Sequence, residues 1–393
     1  MMQFILTPVR IIFQIVAVLG IVSSSLYYLL CLWSASKFLR EREAETVLST
    51  QPLPPISILK PLKGIDPEIY ESFRTHCQLD YPEYEVIFGV SDPDDAAVES
   101  VKALQREFPD RRIQLVVSQK ILGANVKVSN LAQMVREARY EYLIVNDSDI
   151  RVEPNYLRRV TAPLADSQVG MVTCLYRGVA SATLGSHLET LGISTDFCAG
   201  VLAARQFEGG IHFGLGSTLA FRRADLDKIG GFASIVNHLA DDYELGKRIA
   251  HLGFSVKLSD VVVETYLPAY RWREFFAHQL RWARGVRDAR SGGHFGLVFT
   301  FGIFWALFGV AASRGALWSW ATLALTLCLR FAMALVVGWK VLRDRQVLVY
   351  AWMIPLRDLV AVVVWIVSLG GDTVTWRGER FRLKDGKLTR FPR

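Results

Sequence analysis

Two aspartates separated by a single residue, Asp147 and Asp149, are the most informative feature of this 393-residue chain. They follow the apolar run Tyr142–Val145, which is predicted to be a buried strand. Because successive side chains of an extended backbone point to opposite sides, both carboxylates share one face and Ser148 turns away. Carboxylate oxygens at this spacing suit Mg²⁺ or Mn²⁺, ions that proteins often share with substrate phosphates. The pair predicts a metal site for a diphosphate-bearing substrate, and an ordinary polar strand end is the alternative.

Alternating strands and helices are predicted to position these aspartates. A strand, a helix and a further strand imply parallel pairing with right-handed crossovers, so the expected fold is α/β. Ligands of such sheets bind beyond the carboxyl ends of the strands, and Asp92 and Asp147 both follow predicted strand ends. The predicted strands are Ile56–Leu59, Tyr84–Val90, Ile113–Val117 and Tyr142–Val145, and the predicted helices are Ala96–Phe108 and Leu131–Arg139.

Residues 123–130 place Lys127 and Asn130 at a predicted junction between a glycine turn and a helix. Free backbone N–H groups and the helix dipole make such a junction favourable for anions. We therefore expect it to contact substrate phosphates, and a solvent-exposed cap is the alternative.

Two adjacent acids, Asp241 and Asp242, stand at the start of another predicted helix. One aspartate at this position commonly serves only as a cap. Two acids exceed what capping requires, so one of them is a candidate general base.

The segment Tyr270–Arg290 mixes aromatic side chains with arginines. Helical spacing places Trp272, Phe275, Phe276 and Leu280 on one stripe. This composition is typical of a helix lying at the level of the lipid headgroups, and an ordinary basic amphipathic helix is the alternative.

Four apolar segments flank this middle region. The first is uncharged and long enough to cross a hydrocarbon core of about 30 Å, and it is predicted to be a retained anchor because it exceeds a typical signal-peptide core. The last contains Pro355 and the pair Arg357-Asp358, which is costly at mid-membrane. The segments are Ile11–Ser36, Phe295–Ser313, Leu317–Trp339 and Val347–Leu369.

Basic residues set the expected topology. Three follow the first apolar segment and three follow the third, which predicts that both regions are cytoplasmic. The tail from Trp376 to Arg393 is also basic. The hypothesis is three crossings, with Val347–Leu369 re-entrant or lying along the interface.

Composition agrees with a membrane protein, since 51% of the residues are hydrophobic. The formal net charge of +7 indicates attraction to anionic lipid headgroups, because no motif for binding RNA or DNA accompanies it. The five cysteines are scattered without metal-ligand spacing, so free thiols and no zinc site are expected.

Taken in order along the chain, Asp92, Asp147, Asp242 and the pair Arg281-Trp282 resemble the motif series of the ceramide glucosyltransferase family. The closely similar hopanoid-biosynthesis glycosyltransferase shares this layout. The resemblance implies a GT-A fold, an α/β domain with a Rossmann-like mixed sheet. Its expected organisation is an N-terminal transmembrane anchor (1–50), a cytosolic GT-A domain ending in an interfacial helix (51–290), and C-terminal membrane segments with a basic cytosolic tail (291–393).

The resemblance implies inverting transfer of a sugar, glucose or N-acetylglucosamine, from a UDP-sugar to a lipid hydroxyl. On the donor side, Asp92 would contact the uridine, Asp147 and Asp149 would hold Mg²⁺ or Mn²⁺, and Arg281 would hold the diphosphate. Lys127, Asn130 and Trp282 complete the expected donor-binding set.

On the acceptor side, Asp242 would take the proton from the attacking hydroxyl. The expected acceptor region comprises Asp241, His278, Gln279 and Trp282. There are two departures from the family pattern, because His278 stands where Gln or Arg is expected and Asp149 stands where some ceramide enzymes have Gly. The acceptor would be ceramide, a hopanoid or diacylglycerol, reached from the cytoplasmic face of a bacterial inner membrane.

Two other classes of protein remain as alternatives. A processive polysaccharide synthase shares the Asp-x-Asp and Arg-Trp pattern but usually has more membrane crossings than the three expected here. A non-catalytic membrane protein that only binds nucleotide is the second. A transporter finds little support, because the polar residues lie in the long soluble middle.

Overall fold

The computed structural model describes residues 2–45 and 53–391, so the predicted boundary at residues 50–51 lies outside the described part. At its centre is an eight-stranded sheet in the order β3-β2-β1-β4-β7-β6-β8-β5. The strands are β1 (Ile56–Pro61), β2 (Tyr84–Val90), β3 (Ile113–Val117), β4 (Tyr142–Val145), β5 (Ile150–Arg151), β6 (Val169–Val179), β7 (Leu219–Arg222) and β8 (Ser255–Tyr266).

The first four strands run parallel, as the alternation of strands and helices predicts. β1 and β2 are buried along their whole length, because a sheet covered on both faces needs apolar strands. β7 runs antiparallel to both β4 and β6, which makes the sheet mixed. Its pairing of Val145 with Leu219 has a consequence for the site, since the residues after β4 come to lie beside those that precede β7.

Helices cover both faces of the sheet and continue into the apolar segments. Three more strands, β9 (Thr373–Trp376), β10 (Glu379–Lys384) and β11 (Lys387–Arg390), form a separate sheet. The helices are α1 (Met2–Glu45), α2 (Ile69–Cys77), α3 (Ala97–Glu107), α4 (Val126–Glu137), α5 (Tyr156–Thr161), α6 (Leu184–Gly192), α7 (Cys198–Phe207), α8 (Arg223–Lys228), α9 (Asp241–His251), α10 (Trp272–Ala289), α11 (Ser291–Gly296), α12 (Gly302–Ser313), α13 (Leu317–Ala334), α14 (Gln346–Tyr350) and α15 (Ile354–Ser368). Two π-helical turns, Ile193–Phe197 and Leu335–Val341, join α6 to α7 and extend α13.

Three helices are long and apolar enough to cross a membrane: Pro8–Glu43, Leu317–Val341 and Gln346–Ser368. Large apolar side chains on them are exposed, such as Leu19 at 65% and Leu325 at 56%. A continuous apolar surface of this kind is stable only against lipid or another protein. The expected straight segment from Phe295 to Ser313 is instead bent by 49° between residues 291–300 and α12.

Contacts along α1 give the direction of the membrane helices. α12 runs antiparallel to α1, since Tyr28 donates to the Thr300 carbonyl (3.2 Å) and Arg10 donates to the Ser313 carbonyl (3.3 Å). α13 then returns, and Arg42 near the other end of α1 donates to the Val341 carbonyl (3.1 Å). α12 and α13 therefore form a hairpin whose tip lies beside the N-terminal end of α1.

α15 lies along α10 rather than beside α1. Near its start Arg357 donates to the Gln279 side chain (3.3 Å), and at its end the Ser368 carbonyl accepts from Arg287 (2.5 Å). Asp358 forms a two-pronged pair with Arg330 of α13, with both N–O distances at 2.8 Å, which compensates the charge of each group in apolar surroundings. Gln346–Ser368 is also long and apolar enough to cross a membrane, so the hypothesis that Val347–Leu369 is re-entrant or lies along the interface stays a prediction.

The basic tail is folded. Inward-facing Val374, Phe381, Leu383 and Leu388 of β9–β11 form a small core with Leu239, which immediately precedes α9. The C-terminal sheet (β9–β11) therefore lies on the same side of the apolar helices as the central sheet.

This arrangement predicts the labelling of single cysteines in sealed membrane vesicles. Of the native cysteines only Cys328 is exposed among the described residues, so a Cys328→Ser background is suitable. A membrane-impermeant maleimide should modify Arg380→Cys and Asp110→Cys from the same side, and Arg314→Cys, at the tip of the α12–α13 hairpin, only from the other. Labelling of all three positions from one side would contradict the arrangement.

Candidate active site

Three carboxylates from two distant parts of the chain converge at the carboxyl edge of the parallel strands. The Lys127 ammonium lies 2.7 Å from Asp147 Oδ1 and 3.2 Å from Asp241 Oδ2. Gly216 lies between the side chains of Asp147 and Asp242. A Cβ added at Gly216 would lie 3.2 Å from Asp147 Oδ2 and 3.1 Å from Asp242 Oδ2. The loop before β7 thus closes the gap between the end of β4 and the start of α9.

Two carboxamides hold these loops in place. Asn146 at the end of β4 donates to the Ser217 carbonyl (2.7 Å) and to the Tyr156 hydroxyl (3.0 Å). Asn125 caps α4 by accepting from the Val128 N–H (3.1 Å) and donates to the His238 carbonyl (2.7 Å). The first bond ties β4 to the loop before β7, and the second ties α4 to the approach to α9.

The electrostatics follow from burial of like charges around one cation. Burial raises the pKa of Asp242 to about 6, Asp241 adds to the rise, and Lys127 opposes it. Burial disfavours the charged form of Lys127, but Asp147, Asp241 and Asp242 outweigh this and raise its pKa. Asp242 is therefore a carboxylate that exchanges its proton close to neutral pH, as a general base requires.

Asp149 lies deeper than Asp147. Its Oδ2 accepts from the Thr265 hydroxyl of β8, and burial together with Asp147 raises the pKa of Asp149 to about 6. Within residues 2–45 and 53–391, no group of three His, Cys, Asp or Glu side chains is arranged to hold a metal ion. Two neighbouring carboxylates nevertheless fit an ion such as Mg²⁺, which takes its remaining ligands from phosphate oxygens and water.

Asp92 lies at the same edge but apart from this cluster. It is exposed after the end of β2, and its Oδ1 accepts from the Asp94 N–H (3.0 Å). No hydrogen bond or ion pair joins Asp92 to Asp147 among the described residues. β2 lies two strands from β4, which corresponds to about 10 Å at the usual strand spacing and leaves room for a ligand between the two aspartates.

Asn130 is turned away from the cluster. It is 2% exposed, and its amide donates to the Gly89 carbonyl of β2 (2.6 Å). Asn130 therefore positions the end of β2, three residues before Asp92.

The predicted acceptor residues of α10 surround a buried glutamate. His278 stacks on Tyr270 with a centroid separation of 5.4 Å, and its Nδ1 lies 3.5 Å from Glu189 Oε1. Gln279 donates to the other carboxylate oxygen of Glu189. His278 and Gln279 are thus fixed by α6, and the opposite edge of the His278 ring faces Trp282 at 5.5 Å.

Arg281 of α10 has an unpaired guanidinium, because no hydrogen bond or ion pair engages it among the described residues. Burial lowers the pKa of Arg281, while Tyr270, Glu189 and Asp147 favour its charged form. A half-buried guanidinium within electrostatic range of Asp147 is suited to bind an anion at this edge of the sheet.

Sequence reasoning missed four residues of this site. Lys60 is fully buried and donates to the Asp147 carbonyl (2.9 Å), and burial lowers the pKa of Lys60 to about 7. The position of Lys60 inside an otherwise apolar strand is a sequence pattern that could have identified it as a site residue. The other three, Asp66, Glu189 and Arg377, stand in unremarkable surroundings in the sequence, and only tertiary contacts bring them to the site.

Gly216 offers a test of the convergence. In Gly216→Ala the new methyl group would meet both Asp147 and Asp242, so their carboxylates must move by a few tenths of an ångström. We expect a loss of catalytic turnover of about tenfold or more with little change in melting temperature. Gly296→Ala is the matched control because nothing lies within 4 Å of its added methyl group. Normal turnover in Gly216→Ala would contradict the placement of the two carboxylates.

Solved structures and curated proteins resemble this chain. A mannosyltransferase from Pyrobaculum calidifontis, solved in complex with GDP-Man and Mn²⁺, superposes with a TM-score of 0.52 at 20% identity and covers 91% of this chain and 100% of its own. Ceramide glucosyltransferase 3 of Caenorhabditis elegans is 26% identical over 246 residues, 62% of this chain and 53% of that protein. A ceramide glucosyltransferase of Komagataella phaffii is 35% identical over 118 residues, 28% of this chain and 23% of that protein.

The chain spans about half the length of the first of these curated relatives. The superposition confirms the predicted GT-A-like fold. The sequence profile of glycosyl transferase family 21 matches residues 16–389, nearly the whole chain. The chain therefore belongs to glycosyl transferase family 21, as its resemblance to ceramide glucosyltransferases predicted.

Proposed function

We propose that this protein transfers a single sugar, with inversion, from a UDP-sugar to the hydroxyl group of a membrane lipid. The observation that carries the proposal is the position of Asp242, whose raised pKa suits a base and which lies across Gly216 from Asp147. Membership of glycosyl transferase family 21 supports sugar transfer as the reaction class.

The donor would lie along the carboxyl edge of the sheet. Asp92 is exposed and free to accept hydrogen bonds from the uracil or ribose, and Arg281 faces the diphosphate position. Asp147 and Asp149 would hold Mg²⁺ or Mn²⁺ there, and the ion would offset charge on the departing UDP. Lys127 keeps Asp147 and Asp241 in place and offsets part of their charge.

The acceptor hydroxyl would attack the anomeric carbon from the side of Asp242. Its oxygen forms the new glycosidic bond while the bond to UDP breaks, and the hydroxyl proton passes to the Asp242 carboxylate. A single displacement of this kind inverts the anomeric configuration.

A path of aromatic rings supports a lipid acceptor. Tyr176 lies within electrostatic range of both Asp242 and Glu189. From Tyr176 the rings of Phe197 and Trp282 follow at centroid separations of 5.5 and 5.7 Å. The middle ring, Phe197, directly follows Asp196, which lines a small cavity together with Tyr27, Tyr28, Phe301, Arg330 and Asp358.

Polar groups at the membrane end of this path suit a hydroxylated headgroup. Arg357 is only 8% exposed, and its Nε and Nη1 have no hydrogen-bond partner among the described residues. Unpaired buried donors are costly, so a polar ligand that accepts from them would be stabilised. Ceramide is the first candidate because curated relatives are ceramide glucosyltransferases, and a hopanoid is the second.

We further propose that the catalytic domain faces the cytoplasm. Lys37, Arg40 and Arg42 lie at the domain end of α1, and Lys340, Arg343 and Arg345 lie at the same end of α13. Basic residues flanking membrane segments remain predominantly on the cytoplasmic side. UDP-sugars would then reach the site directly, while the acceptor stays in the adjacent leaflet.

The test is a product assay on membranes that contain the protein. Membranes are incubated with UDP-glucose, UDP-N-acetylglucosamine or GDP-mannose and with ceramide, a hopanoid or diacylglycerol, and products are identified by mass spectrometry. We expect a lipid carrying one sugar. Products with several sugars would indicate a processive synthase instead, and the absence of any product would reject the proposal.

Asp242→Asn should reduce transfer by at least about 1,000-fold while sparing UDP binding, because the amide cannot accept the proton. Asp110→Asn is the matched control and should transfer normally, because Asp110 is exposed and precedes β3, at the opposite end of the parallel strands from the site. Turnover of Asp242→Asn at the wild-type rate would remove Asp242 from the role of base.

The pH profile provides an independent test. Because the base must be ionised and its pKa is raised to about 6, the transfer rate should fall about tenfold per pH unit below pH 6 and level off above it. Lys127 opposes the rise, so in Lys127→Gln the acid limb should move to higher pH. A profile that is flat from pH 5 to 8, or an unmoved limb in Lys127→Gln, would contradict this assignment.

A further inference from the structure

The C-terminal sheet reaches the edge of the candidate active site. Its turn between β9 and β10 carries Arg377, whose guanidinium pairs with both oxygens of Asp66 at 3.1 and 3.3 Å. Asp66 also accepts from Ser148, the residue between the two metal-site aspartates. One carboxylate thus links the C-terminal sheet directly to the Asp-x-Asp segment.

The sheet is fixed on two sides. Backbone bonds join the Leu239 N–H to the Gly386 carbonyl (3.0 Å) and the Leu388 N–H to the Asn237 carbonyl (2.6 Å), immediately before α9. On the other side, Arg284 of α10 donates to carbonyls of residues 370 and 373. These anchors hold the β9–β10 turn over the loop that follows β1.

The turn itself is strained. Arg377 has φ of 48° and Gly378 has φ of 82°, as in a type I′ hairpin turn. Asparagine or aspartate is favoured at the first of these positions, and arginine there lacks their local hydrogen bonds. Non-glycine residues in this conformation concentrate at functional sites, where the side chain compensates for the strain.

Arg377 and Arg281 are like charges within electrostatic range of each other, and Asp147 lies within electrostatic range of both. Arg377 disfavours the charged form of Arg281, whereas Asp147 and Asp149 favour the charged form of Arg377. Two neighbouring guanidinium groups repel each other unless an anion lies between them. The Arg377 side chain is still 41% exposed, so it has room to change partner.

We propose that Arg377 is a second diphosphate-binding cation and that the C-terminal sheet closes the donor side of the active site. Asp66 holds Arg377 until the donor binds, after which the guanidinium transfers to a diphosphate oxygen opposite Arg281. The inference rests on the proposed function for the nature of the donor. It adds a chain segment more than 80 residues beyond α10 to the donor site.

Nucleotide binding tests this inference without requiring turnover. Binding of UDP and UMP to the purified full-length protein in detergent is measured by calorimetry for wild type, Arg377→Asn and Arg380→Asn. Asparagine suits the turn, so Arg377→Asn removes the charge while favouring the hairpin. We expect about tenfold weaker UDP binding and unchanged UMP binding in Arg377→Asn, since only UDP offers the second phosphate. Arg380→Asn, the same change at an exposed position of β10, should bind both normally.

The variant Asp66→Asn distinguishes a role of Arg377 in ligand binding from a purely structural role of its ion pair with Asp66. If Asp66 only pairs with Arg377 until the donor binds, Asp66→Asn should bind UDP at least as tightly as wild type. The double variant Asp66→Asn/Arg377→Asn should still bind UDP about tenfold more weakly. Equal weakening by Asp66→Asn and Arg377→Asn, or unchanged UDP binding in Arg377→Asn, would overturn the inference. Failure of the proposed function would show differently, as wild-type protein that binds nucleotide and yields no glycolipid.

Discussion

The ammonium of Lys127 is the interaction on which the site depends. It joins Asp147, at the end of a parallel strand, to Asp241, at the start of a helix, and its charge also acts on Asp242. Burying several carboxylates together is unfavourable, because each raises the free energy of ionising the others. One shared cation offsets part of this repulsion and leaves Asp242 with a pKa near neutrality. The same ion pairs fix the distance between the leaving-group side and the base side of the cleft.

The proposed function sets a second constraint, because a water-soluble donor must meet an acceptor held in the bilayer. α10 faces two environments, the central sheet on one side and an apolar surface on the other. Its buried side carries Gln279 and Arg281 toward the sheet, while Trp272 and Phe276 remain about half exposed on the apolar side. α15 contacts α10 through Arg357 and pairs its Asp358 with Arg330 of α13, so it links α10 to the apolar helix α13. The acceptor path proposed above runs along this junction, where polar groups are already shielded from bulk water.

The C-terminal sheet gives the basic end of the chain a structural role. A basic segment after a membrane helix is ordinarily regarded as a lipid-binding tail. Here its apolar residues alternate with charged ones along β10, and the inward set packs against Leu239 next to the catalytic helix. One of its basic residues, Arg377, pairs with Asp66 beside the site. The first and last thirds of the chain therefore both contribute to a site that the middle third builds.

The sequence alone determined the order and type of the first four strands and of helices α3 and α4, because apolar runs with β-branched residues and helical periodicity are local properties. It also determined the candidates Asp147, Asp242 and Arg281, since a carboxylate pair at a strand end and acids at a helix start have local signatures. Only the tertiary structure decided that β7 runs antiparallel and brings Gly216 between two carboxylates, and that Asn130 supports a strand instead of facing the site. It alone also brought Lys60, Glu189, Asp66 and Arg377 to the site. Strand direction and contacts across hundreds of residues depend on how whole elements pack, and no local pattern of side chains encodes that.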